Sequence, residues 1–319
     1  MKSSLFLAVA FLALFAAGIA NGQEMYWHLP DLKPRAEENA RPSQIAWSGD
    51  ATLLAVADGD IAVFDAGAKK KLWQKSRRDW AVAWPTFSFS PDGKYLAVNV
   101  LEGTLILESR TGELVKKLGE EGRSEICWGE GEIWLLARGS IACYSHSGKT
   151  FAFKEKISNY FFRNLLAVGK TADGRMLVIH GYTGGDYASV DSWKDGELKG
   201  FSEKKGRFLA AGAGKTLFQA KGGEYEIHSL AEGKKLASFS LAEQKSRHFA
   251  FSSCGNYLAI GGFDGKAYLY DATGKQKLAV AYGTGFGTGG DWILSVAASP
   301  GGKRFAVGGS DGVKIYAVK

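Results

Sequence analysis

One pattern recurs through most of the chain and restricts its fold more than any other feature. A tight turn is followed by a short apolar run, again and again. The runs are Leu54-Ala55-Val56, Leu96-Ala97-Val98, Trp134-Leu135-Leu136, Leu177-Val178-Ile179, Leu217-Phe218-Gln219, Leu258-Ala259-Ile260 and Phe305-Ala306-Val307. Their first members are 42, 38, 43, 40, 41 and 47 residues apart. "SPDGKYLAV" from Ser90 and "SPGGKRFAV" from Ser299 are near-copies of one another.

Each repeat follows the same grammar. A short apolar strand such as "HFAF" (248–251) leads into a turn of the type "SGDA", "SPDG", "SCGN" or "SPGG". Gly, Asp and Asn tolerate the backbone angles that a tight reversal needs. The apolar run that follows reads as a strand buried on both faces. A second turn comes next, as at Asp58-Gly59, Glu102-Gly103, Asp264-Gly265 and Asp311-Gly312. A third strand is expected to alternate, as in "DIAVFD" or "KAYLYD", and a more polar fourth, such as "ELVKKL", belongs at a solvent-facing edge. A period of about 40–45 residues with four strands per unit predicts an all-β, seven-bladed β-propeller. Six or eight blades are the nearest alternatives. A helical period is sustained nowhere beyond the N-terminal segment, and a two-sheet sandwich has no need of seven matched units.

The seventh unit ends after its third strand, "VKIYAV". Its outer strand has to come from elsewhere, and "EMYWHL" (24–29) is the apolar segment without a unit of its own. It is predicted to pair beside residues 313–318 and complete the last blade. The Pro-rich stretch 30–42 then leads to the first blade.

The N-terminus carries a different signal. Lys2 is the only charge before Glu24, residues 5–17 are unbroken apolar, and Ala20-Asn21-Gly22 offers a small-x-small cleavage site. Residues 1–22 read as a secretory signal peptide and 23–319 as one propeller domain, secreted or periplasmic. Retention of the segment as an anchor is the alternative. No integral span is expected after cleavage. The three cysteines, Cys127, Cys143 and Cys254, are too few and too odd in number for a disulfide framework. A Cys127–Cys143 bridge and buried free thiols both remain open.

The formal charge of +7 is spread over 40 basic and 33 acidic residues with no long like-charge block, so nucleic acid is not an expected partner. No two of the five histidines stand at a local metal-binding spacing, and there is no Gly-x-Ser-x-Gly elbow. No catalytic residue, cofactor or metal is expected. The loop "YGTGFGTGGDW" (282–292) is the most unusual segment. It lacks the Lys-Ser/Thr of a phosphate loop, and reads either as a plain connection or as a binding lid anchored by an aromatic.

"FSPDGKYLAV" and "GGSDGVKIY" resemble WD40-type repeats, and the resemblance extends over about residues 43–319. The Trp-Asp pair of that family survives only as Phe64-Asp65 and Tyr270-Asp271, and its Gly-His pair is missing. Quinoprotein propellers are similar at one point, their Asp-x-x-Thr-Gly-x-x-x-Trp motif. "DAGAKKKLW" keeps Asp65 and Trp73 but has Ala68-Lys69, while "ESRTGELVK" keeps Thr111-Gly112 but has Lys116. Trp73 is therefore expected to pack one blade on the next.

The resemblance implies a protein-interaction scaffold, here exported, monomeric and non-catalytic. Its docking face would be the one that gathers the interblade connections. The candidate residues on that face are Arg77, Arg78, Trp80, Arg123, Tyr160, Phe161, Arg163, Asp186, Arg207, Arg247, His248, Phe286, Asp291 and Trp292. Arg mixed with aromatics is what interface anchors look like. A redox or metal-dependent propeller enzyme and a sugar-binding surface propeller are the alternatives.

Overall fold

A computed structural model describes residues 25–29, 44–58, 60–76, 86–119, 125–129, 131–137, 140–158, 165–170, 176–181, 187–194, 197–205, 207–212, 214–220, 223–241, 246–262, 265–282, 293–309 and 312–319. Every regular element among them is a β-strand.

The strands assort into four-stranded antiparallel sheets, each built from consecutive strands except the last. The first sheet holds β2 (Gln44–Trp47), β3 (Leu53–Asp58), β4 (Asp60–Asp65) and β5 (Lys70–Lys75), and the second β6 (Phe87–Phe89), β7 (Tyr95–Val100), β8 (Gly103–Glu108) and β9 (Leu114–Leu118). The third holds β10 (Glu125–Gly129), β11 (Glu132–Ala137), β12 (Ser140–Ser147) and β13 (Thr150–Ser158), and the fourth β14 (Leu165–Lys170), β15 (Met176–Gly181), β16 (Tyr187–Lys194) and β17 (Glu197–Lys205). The fifth holds β18 (Arg207–Gly212), β19 (Lys215–Gln219), β20 (Tyr225–Ser229) and β21 (Lys235–Phe239), and the sixth β22 (Ser246–Phe251), β23 (Tyr257–Gly262), β24 (Lys266–Asp271) and β25 (Gln276–Ala281). In the last, β26 (Ile293–Ala298), β27 (Arg304–Gly309) and β28 (Gly312–Ala317) are joined by β1 (Met25–Leu29) from the other end of the chain.

β1 pairs antiparallel with β28, Met25 opposite Tyr316 and Leu29 opposite Val313. It also carries the irregularity of the other fourth strands. In the first sheet Phe64 faces Lys71 and Val63 faces Trp73, which leaves Leu72 as an extra residue. Val115, Lys154, Phe201, Leu236 and Lys277 are skipped in the same way in the next five sheets. In β1 the skipped residue is Tyr26, between the Met25–Tyr316 and Trp27–Ile315 pairs. A bulge adds local twist. β1 therefore takes both the place and the shape of a fourth strand.

The turn before each second strand shows why its sequence recurs. Ser48, Ser90, Ser252 and Ser299 each accept, at Oγ, the amide five residues on, at 2.9–3.1 Å. Their carbonyls accept the amides of Ala51, Gly93, Gly255 and Gly302 at 2.8–2.9 Å. Those four residues have φ of 60°, 72°, 68° and 66°, where glycine is favoured and Ala51 stands as the exception.

The apolar runs form the core. Leu54, Ala55, Val56, Leu96, Ala97, Val98, Leu258, Ala259, Ile260, Phe305, Ala306 and Val307 have no measurable exposure. Each fully buried Val, Leu, Ile or Phe side chain contributes roughly 1.5–3 kcal/mol. Of the two third strands expected to alternate, β24 does so from Lys266 to Leu269, whereas β4 is buried at four consecutive positions, Ile61 to Phe64. Neighbouring sheets cover both of its faces, so both faces must be apolar. Alternation also appears one strand further out, as in β25.

Core clusters run between sheets. Leu29, Val313 and Ile315 of the last sheet pack with Ile45, Trp47 and Phe64 of the first. Other clusters join the first to the second, the second to the third, the fourth to the fifth, the fifth to the sixth and the sixth to the last. β10 and β11 contact β14 between the third and fourth. Trp47 and Phe89 are buried, while Trp128 and Phe251 are half-buried and pack at the margins of their clusters. Cys127 and Cys143 lie in β10 and β12, each opposite Trp134 of the strand between them. The intervening strand keeps them apart, and none of the three cysteines forms a disulfide.

Candidate partner-docking face

In a four-stranded antiparallel sheet the fourth strand ends where the first begins. The connections from one sheet to the next, and the turns between second and third strands, therefore lie at one end of each sheet. The Ser-led turns and the turns between third and fourth strands lie at the other.

Most of the expected docking residues fall in these connections, outside the described residues: Arg77, Arg78, Trp80, Arg123, Tyr160, Phe161, Arg163, Asp186, Phe286, Asp291 and Trp292. Arg207 opens β18 and is exposed. Arg247 and His248 are in β22, which begins two residues earlier than "HFAF" suggests. His248 is half-buried opposite Gly261.

Arg247 occupies a position that sequence reasoning did not single out. β22 is irregular there: Ser246 faces Gly262 and His248 faces Gly261, so Arg247 is skipped. The same irregularity sits at the start of β14, β18 and β26, where the skipped residues are Leu166, Leu209 and Leu294. Bulges re-aim a side chain and are common beside functional sites. Of these, Leu294 matches Arg247 in place, each lying five residues before its turn serine, Ser299 and Ser252, so a guanidinium stands in the sixth sheet where the last sheet has leucine. Aligning these two first strands backwards from their turns exposes the difference in sequence.

The described rim of this end is held rigidly. Gln44 at the start of β2 exchanges two hydrogen bonds with the backbone of Phe87, at 2.8 and 2.9 Å, tying the first sheet to the second. Asn99, buried, receives the Thr104 hydroxyl at 2.7 Å and donates to Thr86 Oγ1 at 2.8 Å. The Tyr282 hydroxyl donates to the Gly312 carbonyl at 2.7 Å, and Lys314 Nζ lies 4.5 Å from the Tyr282 ring centroid. At Glu102, the Lys117 ammonium, 2.8 Å away, holds the carboxyl below its usual range.

The charged groups at the other end serve the turns. At Asp271 burial acts to raise the carboxyl pKa, but the Thr273 hydroxyl, the Lys277 ammonium and the amides of Lys275 and Thr273 outweigh it and bring it to about 2. Asp50 and Asp92, partly buried, are held low by the Ser48 and Ser90 hydroxyls and by backbone amides. His228 Nε2 lies 2.8 Å from Glu226 Oε2, edge-on to Phe218. Among the described residues no three His, Cys, Asp or Glu side chains group as a metal site.

Indoles link the sheets. Trp73 Nε1 donates to the Ser109 carbonyl at 2.8 Å, and a Cβ built on Gly112 would stand 2.8 Å from the Trp73 ring. Trp73 thus packs the first sheet on the second, as expected. Trp128 Nε1 donates to Ser88 in the sheet before its own, at 3.0 Å.

Residues 233–271 match the family described as WD domain, G-beta repeat. That segment comprises β21 to β24, the outer strand of one sheet and three strands of the next. No curated protein matches the chain in sequence. Among solved structures, the β-propeller domain of Cps50 (Swd1) from Myceliophteria thermophila superposes with a TM-score of 0.66 at 12% identity, covering 93% of this chain and 100% of that one. A chain of the mitotic checkpoint complex gives 0.63 at 12% identity, covering 93% and 94%. Hydrazine synthase from Kuenenia stuttgartiensis gives 0.62 at 15% identity, covering 88% and 96%. One repeat matching the WD40 model, four-stranded antiparallel sheets throughout the described residues and this likeness of fold are together consistent with a diverged WD40-type β-propeller.

Proposed function

We propose that the sheets close into a single ring of seven blades and that the chain is an exported, non-catalytic scaffold that docks a protein partner on its connection face. Cluster follows cluster around the sheets, and the Trp47–Ala297 bond and the contacts of β2 with β26 and β27 join the last sheet to the first; these support closure. The apolar N-terminal run before Glu24 supports export. The observation that carries the docking reading is the division of labour between the two ends. The Ser-led turns use their polar groups internally, whereas the connections carry the Arg and aromatic residues, with Arg247 replacing a leucine at a bulge. Propellers of this fold occur in assemblies such as the mitotic checkpoint complex, which supports the same reading.

The test is affinity capture from the exported fraction, comparing the native chain with Arg78→Ala/Trp292→Ala and with Arg247→Leu. A partner held by the native chain and released by either variant supports this face. Equal recovery from all three overturns it. The likeness to hydrazine synthase favours a redox-subunit reading as the alternative. Stoichiometric metal or quinone in the purified protein would select it.

A further inference from the structure

The fourth strands form the outer edges of the sheets, and their charge is unevenly shared. β5 carries three lysines, β9 two, β13 two and β17 three, whereas β21 and β25 carry one each and β1 none. Lysine on an exposed edge strand blocks edge-to-edge pairing with other chains. That need is equal at every edge, so it does not account for the concentration on one side. β5 and β9 are the extreme case: five lysines and no acidic residue within the two strands.

These two strands belong to sheets held together near the same end. Trp73 of β5 packs on Gly112 and bonds Ser109, and Arg110 pairs with Asp65 at 3.2 Å. Lys70, Lys71, Lys116 and Lys117 are exposed. The bordering acids include Glu113, one residue before β9, Glu102, which pairs with Lys117, Asp60, which accepts from Gln74 of β5, and Asp65, which lies opposite Lys70 and pairs with Arg110. A second feature lies in β9 itself: Leu114, two residues before Lys116, is 58% exposed.

We propose that the rim formed by β5 and β9 rests on an anionic lipid surface. Lysine ammonium groups are strongly hydrated point charges suited to diffuse attraction to headgroup phosphates, not to bidentate recognition of one ligand. Arg110, the guanidinium at this rim, is engaged by Asp65. Exposed Leu114 selects the occupant. It contributes nothing to a soluble polyanion, but an apolar side chain beside basic ones can enter the headgroup boundary of a bilayer. Contact along the rim leaves the connection face free, so the partner face and the lipid face are separable.

The full chain would be tested by flotation with vesicles of phosphatidylcholine alone and of phosphatidylcholine mixed with phosphatidylglycerol. All variants carry the same N-terminus. Lys70→Gln/Lys71→Gln/Lys116→Gln/Lys117→Gln is compared with Lys234→Gln/Lys235→Gln/Lys275→Gln/Lys277→Gln, which loses the same charge from the opposite side. Circular dichroism confirms that each is folded. Binding to the anionic vesicles, weakening with salt, is expected. A lysine near such a surface is worth roughly fivefold in partitioning, so the first set loses at least about tenfold and the second stays near the native chain. Leu114→Ser weakens binding while leaving its salt dependence unchanged. No binding to anionic vesicles, or equal loss from both lysine sets, overturns the proposal. So does binding of inorganic polyphosphate as tight as that of vesicles, with no effect of Leu114→Ser.

Discussion

The indole Nε1 of Trp47 donates to the carbonyl of Ala297 at 3.3 Å, joining the first strand of the first sheet to the first strand of the last. Trp128 makes the equivalent bond back to Ser88. Trp47→Phe keeps most of the ring and removes the donor, leaving a buried carbonyl without it. The expected cost is about 1–2 kcal/mol, read as a lower urea midpoint with an unchanged m value. A fall in m would mean that the sheets come apart separately.

Ala51 has a φ of 60°, where Gly93, Gly255 and Gly302 fill the matching turns. An L-residue in that region costs about 1–2 kcal/mol, partly offset by the greater freedom of glycine in the unfolded chain. Ala51→Gly should stabilise the protein by about 0.5–1 kcal/mol in the same titration. The reverse change, Gly93→Ala, should destabilise it by more, because the added Cβ would also meet Ser48 Cβ at 3.2 Å.

β1 can be tested without deleting it. Trp27 packs edge-on against Phe64 of the first sheet at 5.7 Å between centroids, while its backbone pairs with Ile315. Trp27→Ala should cost about 3 kcal/mol and lower the melting temperature in a single transition. A protein as stable as the native chain would show that β1 is dispensable.

How much of this could be read in advance depended on how local the determinants are. The Ser-led turns and apolar runs were legible because a few adjacent residues set a turn, and burial between sheets admits only apolar runs. β1 was legible by elimination, since the last unit lacked an outer strand and "MYWHL" lacked a unit. The bulges at Tyr26 and Arg247 were not, because they answer the twist of a whole sheet and leave no local signature. β4 departs from alternation because covering of its outer face is a property of the assembled sheets. Of the docking residues, Arg247 falls just outside the strand that "HFAF" suggests because a charged residue reads as loop, whereas pairing with β23 extends the strand back to Ser246.

Asp271 sets an acid limit. Its pKa in the folded protein, about 2, lies below the ordinary 3.8, so its contribution is present above pH 3.8 and is lost as pH falls towards 2. Its side chain is 19% exposed, and screening reduces the effect to about 1 kcal/mol. Asp271→Asn should therefore flatten the loss of stability in that window and change little at neutral pH. An acid limb as steep as that of the native chain would remove Asp271 from the account.

Cys127 and Cys143 are separated by β11, which places their backbones about 9–10 Å apart, beyond the roughly 7 Å that a disulfide allows. Oxidation of the folded monomer should leave both unlinked. Exposed Cys254 should react with a thiol reagent in the native state, and buried Cys143 only on unfolding. Mass spectrometry after alkylation distinguishes the three.

Because β1 precedes and β28 follows every other described strand, their sheet cannot be completed until β28 has been made. A chain cut between β1 and β2 depends on that pairing alone to keep the β28 edge covered and Trp27 against Phe64. Proofreading of this sheet thus amounts to a single check at one joint, where β1 meets β28.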